Sequence, residues 1–396
     1  MREIGIYIHI PFCKSKCIYC DFNSYVKKED CIDEYINAVK EEIEKYSQEN
    51  NSILVKTIYI GGGTPSYIKE KYIKKIIEAL KNNFNIHPNA EITIEVNPGT
   101  VNRSKLELYY KIGINRLSIG FQSANDRLLK LIGRIHDFED FLETIKLANT
   151  VGFSNINADC IIGLPNQNIY DVEETLNVLI DLRLTHISVY SLIVEPNTPL
   201  ESKINSGELK LPDEEIERYM YWFSKRKLEE NGYLHYEISN FSKPLYSSRH
   251  NLDCWNQEEY KGFGVSASSY ENGVRYTNIS DINKYIKNVK EKKLKENYII
   301  EEKQDRETMM KEYMLLGLRK ITGVNITEFR RKFGTTPLYK YNKEITKLIR
   351  EELIEANEHN IRLSKKGLDL ANLVWEEFIW FYMYNLQNVI NVLEKY

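Results

Sequence analysis

Long apolar runs are missing from this chain. No stretch of its 396 residues reaches the ~18 consecutive apolar positions of a membrane-spanning helix. Cysteine is scarce too: six residues, too few for a disulfide-built secreted scaffold. Nor is there a strong charge bias. The formal net charge is −3, and a general nucleic-acid binder needs a basic face for the phosphates. The opening "MREIGIYIHIPF" lacks a signal peptide's long apolar segment and runs straight into a strand pattern. The expectation is a cytoplasmic protein with no membrane span and no nucleic-acid partner. What is present is ample material for a core. Hydrophobic residues make up 42%, and the length exceeds one ordinary core, so a large α/β domain with a smaller companion is the natural arrangement.

Strand-like and helix-like segments alternate over the first half. "EIGIYIHI", "VKTIYIGGG" (55–63), "EITIEVNP" (91–98), "INRLSIGFQS" (114–123), "SNINADCIIGLP" (154–165) and "THISVYSLIVEP" (185–196) read as strands. Residues 32–48 and 67–84 carry helical spacing, and helical patterns fill the other gaps. Six βα units in succession predict a parallel sheet with right-handed crossovers. Six are too few for a complete eight-stranded barrel, so the expected fold is α/β, an incomplete (β/α)6 barrel. Beyond about residue 210 the pattern changes. The expected divisions are 1–235, the barrel; 236–300, a barrel-closing segment and linker, of which the Lys- and Asn-rich 281–296 reads as an exposed helix or linker; and 301–396, a smaller, mainly helical, winged-helix-like domain.

Polar residues and glycines gather at the strand C-terminal ends: Gly61–Gly63, Glu95 and Asn97, Gln122, Asp159 and Gly163. In parallel α/β folds that edge binds ligands. The loop after the first strand, "IPFCKSKCIYCDF", joins the same edge with Cys13, Cys17 and Cys20 in a C-x3-C-x2-C spacing. Structural zinc wants four ligands, usually in two pairs, and here only His9 could join the three. A cubane iron–sulfur cluster on three cysteines leaves one iron open to a small chelator. The amino and carboxylate groups of S-adenosylmethionine (SAM) are such a chelator.

With this loop the chain resembles the radical SAM superfamily. The stretches "YIHIPFC", "GGGTPS", "EVNPGT", "RLSIGFQS", "GRIH", "DCIIGLP", "SVYSLIVEPNTPL" and "RLSKKGLDLANLVWEEF" narrow the resemblance, across essentially the whole chain, to the HemN/HemW family. That resemblance implies a [4Fe–4S] cluster on Cys13, Cys17 and Cys20, and SAM against Gly62, Gly63 and Thr64. It further implies SAM contacts from Glu95, Gln122, Arg134 and Asp159, with Tyr7 and Tyr19 as neighbouring aromatics. The dehydrogenase branch carries a fourth cysteine two residues after the third; here that position is Phe22, as in the HemW branch. An H-N-x-x-Y-W motif is implicated there in haem binding. Residues 250–255 read "HNLDCW", so His250, Asn251 and Trp255 agree while Cys254 replaces the tyrosine. The resemblance thus implies a haem chaperone with His250 or Cys254 at the haem iron. Implied partners are haem, an apo-haemoprotein recipient and a reductant such as flavodoxin or ferredoxin; a weak encounter with a membrane protein needs no membrane span. SAM cleavage would be its chemistry, with no catalytic side chain assigned. The alternative is an oxygen-independent coproporphyrinogen III dehydrogenase.

Overall fold

The computed structural model describes residues 1–50 and 52–379. Six strands run in chain order: β1 Arg2–Ile10, β2 Ile53–Gly62, β3 Asn85–Val96, β4 Arg116–Gln122, β5 Ile156–Ile162 and β6 His186–Ser191. Each pairs in parallel with the next. Helices including Ile32–Glu49, Glu70–Asn83 and Ile169–Asp181 connect them. Side chains alternate between the two faces of the sheet. Ile4, Ile6, Ile8 and Ile10 of β1 join Ile58 and Ile60 of β2, with Tyr35, Ile36 and Val39 of the first long helix, in the main core. Gly5, Tyr7 and His9 take the opposite face. The expected sixth strand is shorter than its apolar run: pairing stops at Ser191, and 192–196 leave the sheet as a loop.

The sheet extends past the six on both sides. β7 Leu234–Glu237 and β8 Asn240–Ser242 continue from β6, antiparallel. On the other edge β9 Tyr260–Phe263 pairs in parallel with β1. Beyond it lie β10 Ser268–Glu271, β11 Val274–Asn278 and β12 Tyr298–Lys303. These twelve strands form one open sheet, ending at β12 and β7. The incomplete barrel thus carries flanking strands on both sides, most of them within the stretch expected to be a barrel-closing segment and linker.

The Lys- and Asn-rich stretch 281–296 does carry a helix, as one of its two readings expects, but not an exposed one. It holds the helix Ile282–Lys290, whose Ile282, Tyr285, Ile286 and Val289 are buried in the main core. These four stand at i, i+3, i+4 and i+7, an amphipathic stripe that the polar composition hides. Tyr285 Oη donates to the fully buried carboxylate of Glu42 at 2.6 Å, and Lys261 Nζ lies 3.7 Å from the same carboxylate. A buried anion needs such partners.

A second, separate core includes Met314, Leu318, Phe329, Phe333, Leu348, Ile361 and Phe378. The helices Arg306–Arg319, Ile326–Phe333 and Asn342–Arg350 surround it with the hairpin Ile354–Ala356 and Asn360–Leu363, a winged-helix-like arrangement. Residues 380–396 of the expected C-terminal domain lie outside the described residues. No helix among the described residues is long and apolar enough to cross a membrane.

Candidate functional site

β1 ends at Ile10 and delivers the cysteine loop to the C-terminal edge of the sheet. Backbone hydrogen bonds define that loop from three sides. Cys13 N donates to Tyr25 O at 2.9 Å and Tyr25 N to Pro11 O at 2.6 Å. Ile18 N donates to Ile132 O at 3.1 Å, and Leu200 N to Ile18 O at 2.9 Å. The glycine turn after β2 lies along it: Gly63 N donates to Ile10 O and Thr64 N to Phe12 O, both at 2.9 Å. Only glycine fits there. A Cβ on Gly63 would come within 2.9 Å of Cys13 Sγ, and Gly62 has φ +115°.

Eleven of the fourteen sequence-predicted positions (Cys254 included) meet in one cavity of about 160 Å³: Cys13, Cys17, Tyr19, Cys20, Gly62, Gly63, Thr64, Glu95, Gln122, Arg134 and Asp159. A neighbouring cavity of about 260 Å³ shares Tyr19, Cys20, Phe22, Glu95, Gln122 and Asp159 with it and adds Tyr7, Tyr59, Tyr190 and Ile193. The sequence reading had not singled out Tyr59 and Tyr190. The available signal was the two-residue alternation in "TIYI" and "ISVY", which sets each on its strand's inner face.

The cations and thiols are adjacent. Arg134 Nη1 lies 3.8 Å from Cys17 Sγ, while Nη2 donates to Asn97 Oδ1 at 2.9 Å and Gly120 O at 2.6 Å. Thr64 Oγ1 is 3.5 Å from Cys13 Sγ. Burial pushes the Cys20 thiol up to about 12 and raises that of Cys13. Without a bound cation these groups keep their protons at neutral pH; a metal draws them off. The three thiols line one cavity, and a cubane seats each thiolate on its own iron. The donor set fits the cluster.

The cleft floor is acidic. Glu95 accepts from Tyr59 Oη at 3.0 Å and Gly62 N at 3.1 Å. Burial, then the charge of Asp159, pushes its carboxyl up to about 8. Asp159 accepts from Asn157 Nδ2 at 2.7 Å, and burial raises it as well. Gln122, at φ +71°, has a buried Oε1 with no protein partner. Such a floor suits a ligand that offers hydroxyl donors and positive charge.

Glu95 makes a pH prediction. Its folded value lies above the ordinary 4.5. The associated stability is therefore fully present below about 4.5 and lost as pH rises through about 8. The cofactor-free chain should show a falling unfolding midpoint across that window. Glu95→Gln should flatten the fall and be the more stable form at pH 8, by thermal unfolding. A wild-type midpoint that rises from pH 5 to 8 by the same amount in both proteins would disprove this.

His250 does not line either cavity. It is 1% exposed, its ring stacked on Tyr59 at 5.3 Å between centroids, with Nδ1 2.8 Å from Thr57 Oγ1. Burial pushes it down to about 3, so the imidazole is neutral, and Nε2 has no protein partner. Its neighbour Asn251 does line the cleft. Cys254 packs with Tyr260 and Tyr270, and burial pushes its thiol up to about 12.

Comparison with known proteins adds to this geometry. Residues 7–179 match the Radical SAM superfamily and residues 304–370 the HemN C-terminal domain. A protein of Lactococcus lactis named heme chaperone HemW is 36% identical over 373 residues, covering 94% of this chain and 96% of that protein. One of the same name from Bacillus subtilis is 37% identical over 376 residues, covering 94% and 98%. Among solved structures, coproporphyrinogen III oxidase (HemN) from Escherichia coli superposes with a TM-score of 0.81 at 23% identity, over 95% of this chain and 90% of that one. That likeness concerns the fold.

Proposed function

The chain belongs to the HemW family of radical SAM proteins, and on that premise we propose that it is a haem chaperone that holds a SAM-coordinating [4Fe–4S] cluster and passes haem to apo-haemoproteins. The observation that carries this reading is the meeting of three thiols, a glycine turn, one arginine and two carboxylates in a single cleft, in a chain alike over 94% of its length to proteins of that name. When both groups are bound, the cluster supplies one-electron reductive cleavage of the SAM sulfonium.

The residues divide the work. Cys13, Cys17 and Cys20 would hold three irons. The Gly62–Gly63 backbone and Thr64 would take the amino end of SAM, and Arg134 its carboxylate. Glu95 and Asp159 would accept from the ribose hydroxyls, with Gln122 completing the set. Tyr7 and Tyr19 would pack beside them.

For haem iron we take His250 over Cys254. The imidazole is already neutral, the form that binds iron, while burial holds the thiol protonated. Because Tyr59 covers His250, haem entry calls for movement of that ring or of the helix Arg249–Trp255. His250→Ala should then shift or weaken the haem absorption band, and Cys254→Ala should leave it in place. The reverse pattern would assign the thiolate. The cytoplasm, an apo-haemoprotein recipient and a flavodoxin- or ferredoxin-type reductant complete the proposal.

The deciding experiment uses one anaerobically reconstituted sample, offered haem and coproporphyrinogen III in turn. Haem binding without porphyrinogen conversion is expected, since Phe22 stands where the dehydrogenases have a cysteine. Conversion to protoporphyrinogen IX at catalytic rates would overturn the chaperone reading in favour of a dehydrogenase.

A further inference from the structure

We propose that Asn157, His186 and Tyr236 form a one-way chain of hydrogen bonds through the barrel interior, with Asn157 and His186 as positioning residues that aim Asp159 at the cofactor and tie it to the seat of the helix Arg249–Trp255. The role assigned to Asp159 rests on the SAM site proposed above; the chain itself stands on the geometry alone.

The two ends fix the direction. Ser248 N, a backbone amide, can only donate, and it lies 3.2 Å from Tyr236 Oη. The phenol proton is then free for His186 Nε2, 2.7 Å away. A neutral imidazole that accepts on Nε2 carries its proton on Nδ1, and Nδ1 is 2.6 Å from Asn157 Oδ1. The Asn157 amide nitrogen donates to Asp159 Oδ1 at 2.7 Å and to Ser118 Oγ at 2.8 Å. Turning that amide over would set oxygen against the Asp159 carboxylate and an N–H against the imidazole N–H. Every link therefore donates toward Asp159.

Most of the chain is buried. Asn157 is 2% exposed, His186 1% and Ser248 0%, while Tyr236 and Asp159 are half-buried. Hydrogen bonds in such surroundings polarise one another, and a broken link leaves a buried group unpaired. Burial holds His186 well below its usual range, which keeps the single-proton form that the chain needs.

The far end returns to the cleft. Ser248 caps the helix Arg249–Trp255, its Oγ accepting from Asn251 N at 3.4 Å. Asn251 lines the same cavity as Asp159. The path thus leaves the cleft at a cofactor carboxylate and re-enters it on the helix that carries His250. A ligand that pulls on Asp159 also changes the seat of that helix.

Tyr236→Phe tests this with little change of packing, because the ring keeps its edge contact with His186, 5.6 Å between centroids. In the cluster-loaded protein, SAM affinity measured by calorimetry should fall about threefold to tenfold, the size of effect that one internal hydrogen bond carries; the unfolding midpoint should drop as well, because Ser248 N and His186 Nε2 lose their partner. Asn157→Leu, close in size and with no polar hydrogen to donate, should lower the affinity further. Added SAM should slow amide hydrogen exchange at residues 248–252 in the wild type and not in Tyr236→Phe. Imidazole ¹⁵N signals of the ligand-free protein should show His186 protonated on Nδ1 alone. Protonation on Nε2, unchanged SAM affinity in both variants, or an exchange response equal in wild type and Tyr236→Phe would overturn the proposal. A wild type that binds no SAM would instead remove the cofactor site, and the His186 tautomer would still decide the chain.

Discussion

Cys17→Ala is expected to abolish cluster assembly. Anaerobic reconstitution of the wild type should give about four irons per chain and a broad visible band, as a cubane requires; the variant should give almost none of either. The expectation is sharp because the loop's shape does not depend on the metal. Its backbone is held by Cys13 N to Tyr25 O, Ile18 N to Ile132 O and Leu200 N to Ile18 O. Cys17 itself is only half-buried, so its thiol contributes little to the core. The metal-free variant should unfold close to the metal-free wild type. Loss of iron with the fold intact assigns a ligand, whereas loss of both would point to a packing residue. Full iron content in Cys17→Ala would sink the assignment, and so would stoichiometric zinc without iron in the wild type.

The readability of this site in the sequence has a physical basis. The three cysteines are local, eight positions from first to last, so their spacing alone states a ligand set. Glu95, Gln122 and Asp159 are distant from one another in sequence. They were still recoverable because parallel strands with helical crossovers bring every strand's C-terminal end to one edge. The unread parts depend on contacts that no local pattern encodes. β9 pairs with β1 across some 250 residues of intervening chain, and "YKGF" offers no signal for that choice. The burial of the helix Ile282–Lys290 was hidden by composition: its outer lysines dominate the eye, while four inward positions dock it on Glu42 and the first long helix. His250 shows a third limit. The resemblance implied a haem ligand there, but Tyr59 closes over it, and ring stacking between elements so far apart in the chain is set by tertiary packing.

Arg134→Ala should weaken SAM binding by ~1.5–3 kcal/mol, roughly ten- to a hundredfold, the range for a lost charge-assisted pair. The arginine is prepared for that pairing before the cofactor arrives. Its Nη2 is spent on Asn97 Oδ1 and Gly120 O, and Gly120 lacks the Cβ that would sit 2.9 Å from Nη2. The fork is thereby fixed in direction, and little side-chain entropy remains to be lost on binding. Arg134→Lys keeps the charge without the fork and should fall between wild type and alanine. Arg134 Nη1 also lies 3.8 Å from Cys17 Sγ, a proposed cluster ligand. Iron content must therefore be measured on the same samples. Near-full iron with weakened SAM binding places the effect on the cofactor carboxylate. Iron loss in proportion to the lost SAM binding places it on the cluster. Unchanged SAM affinity by calorimetry, at full iron content, would leave Arg134 as a strut between β4 and the loop after β3.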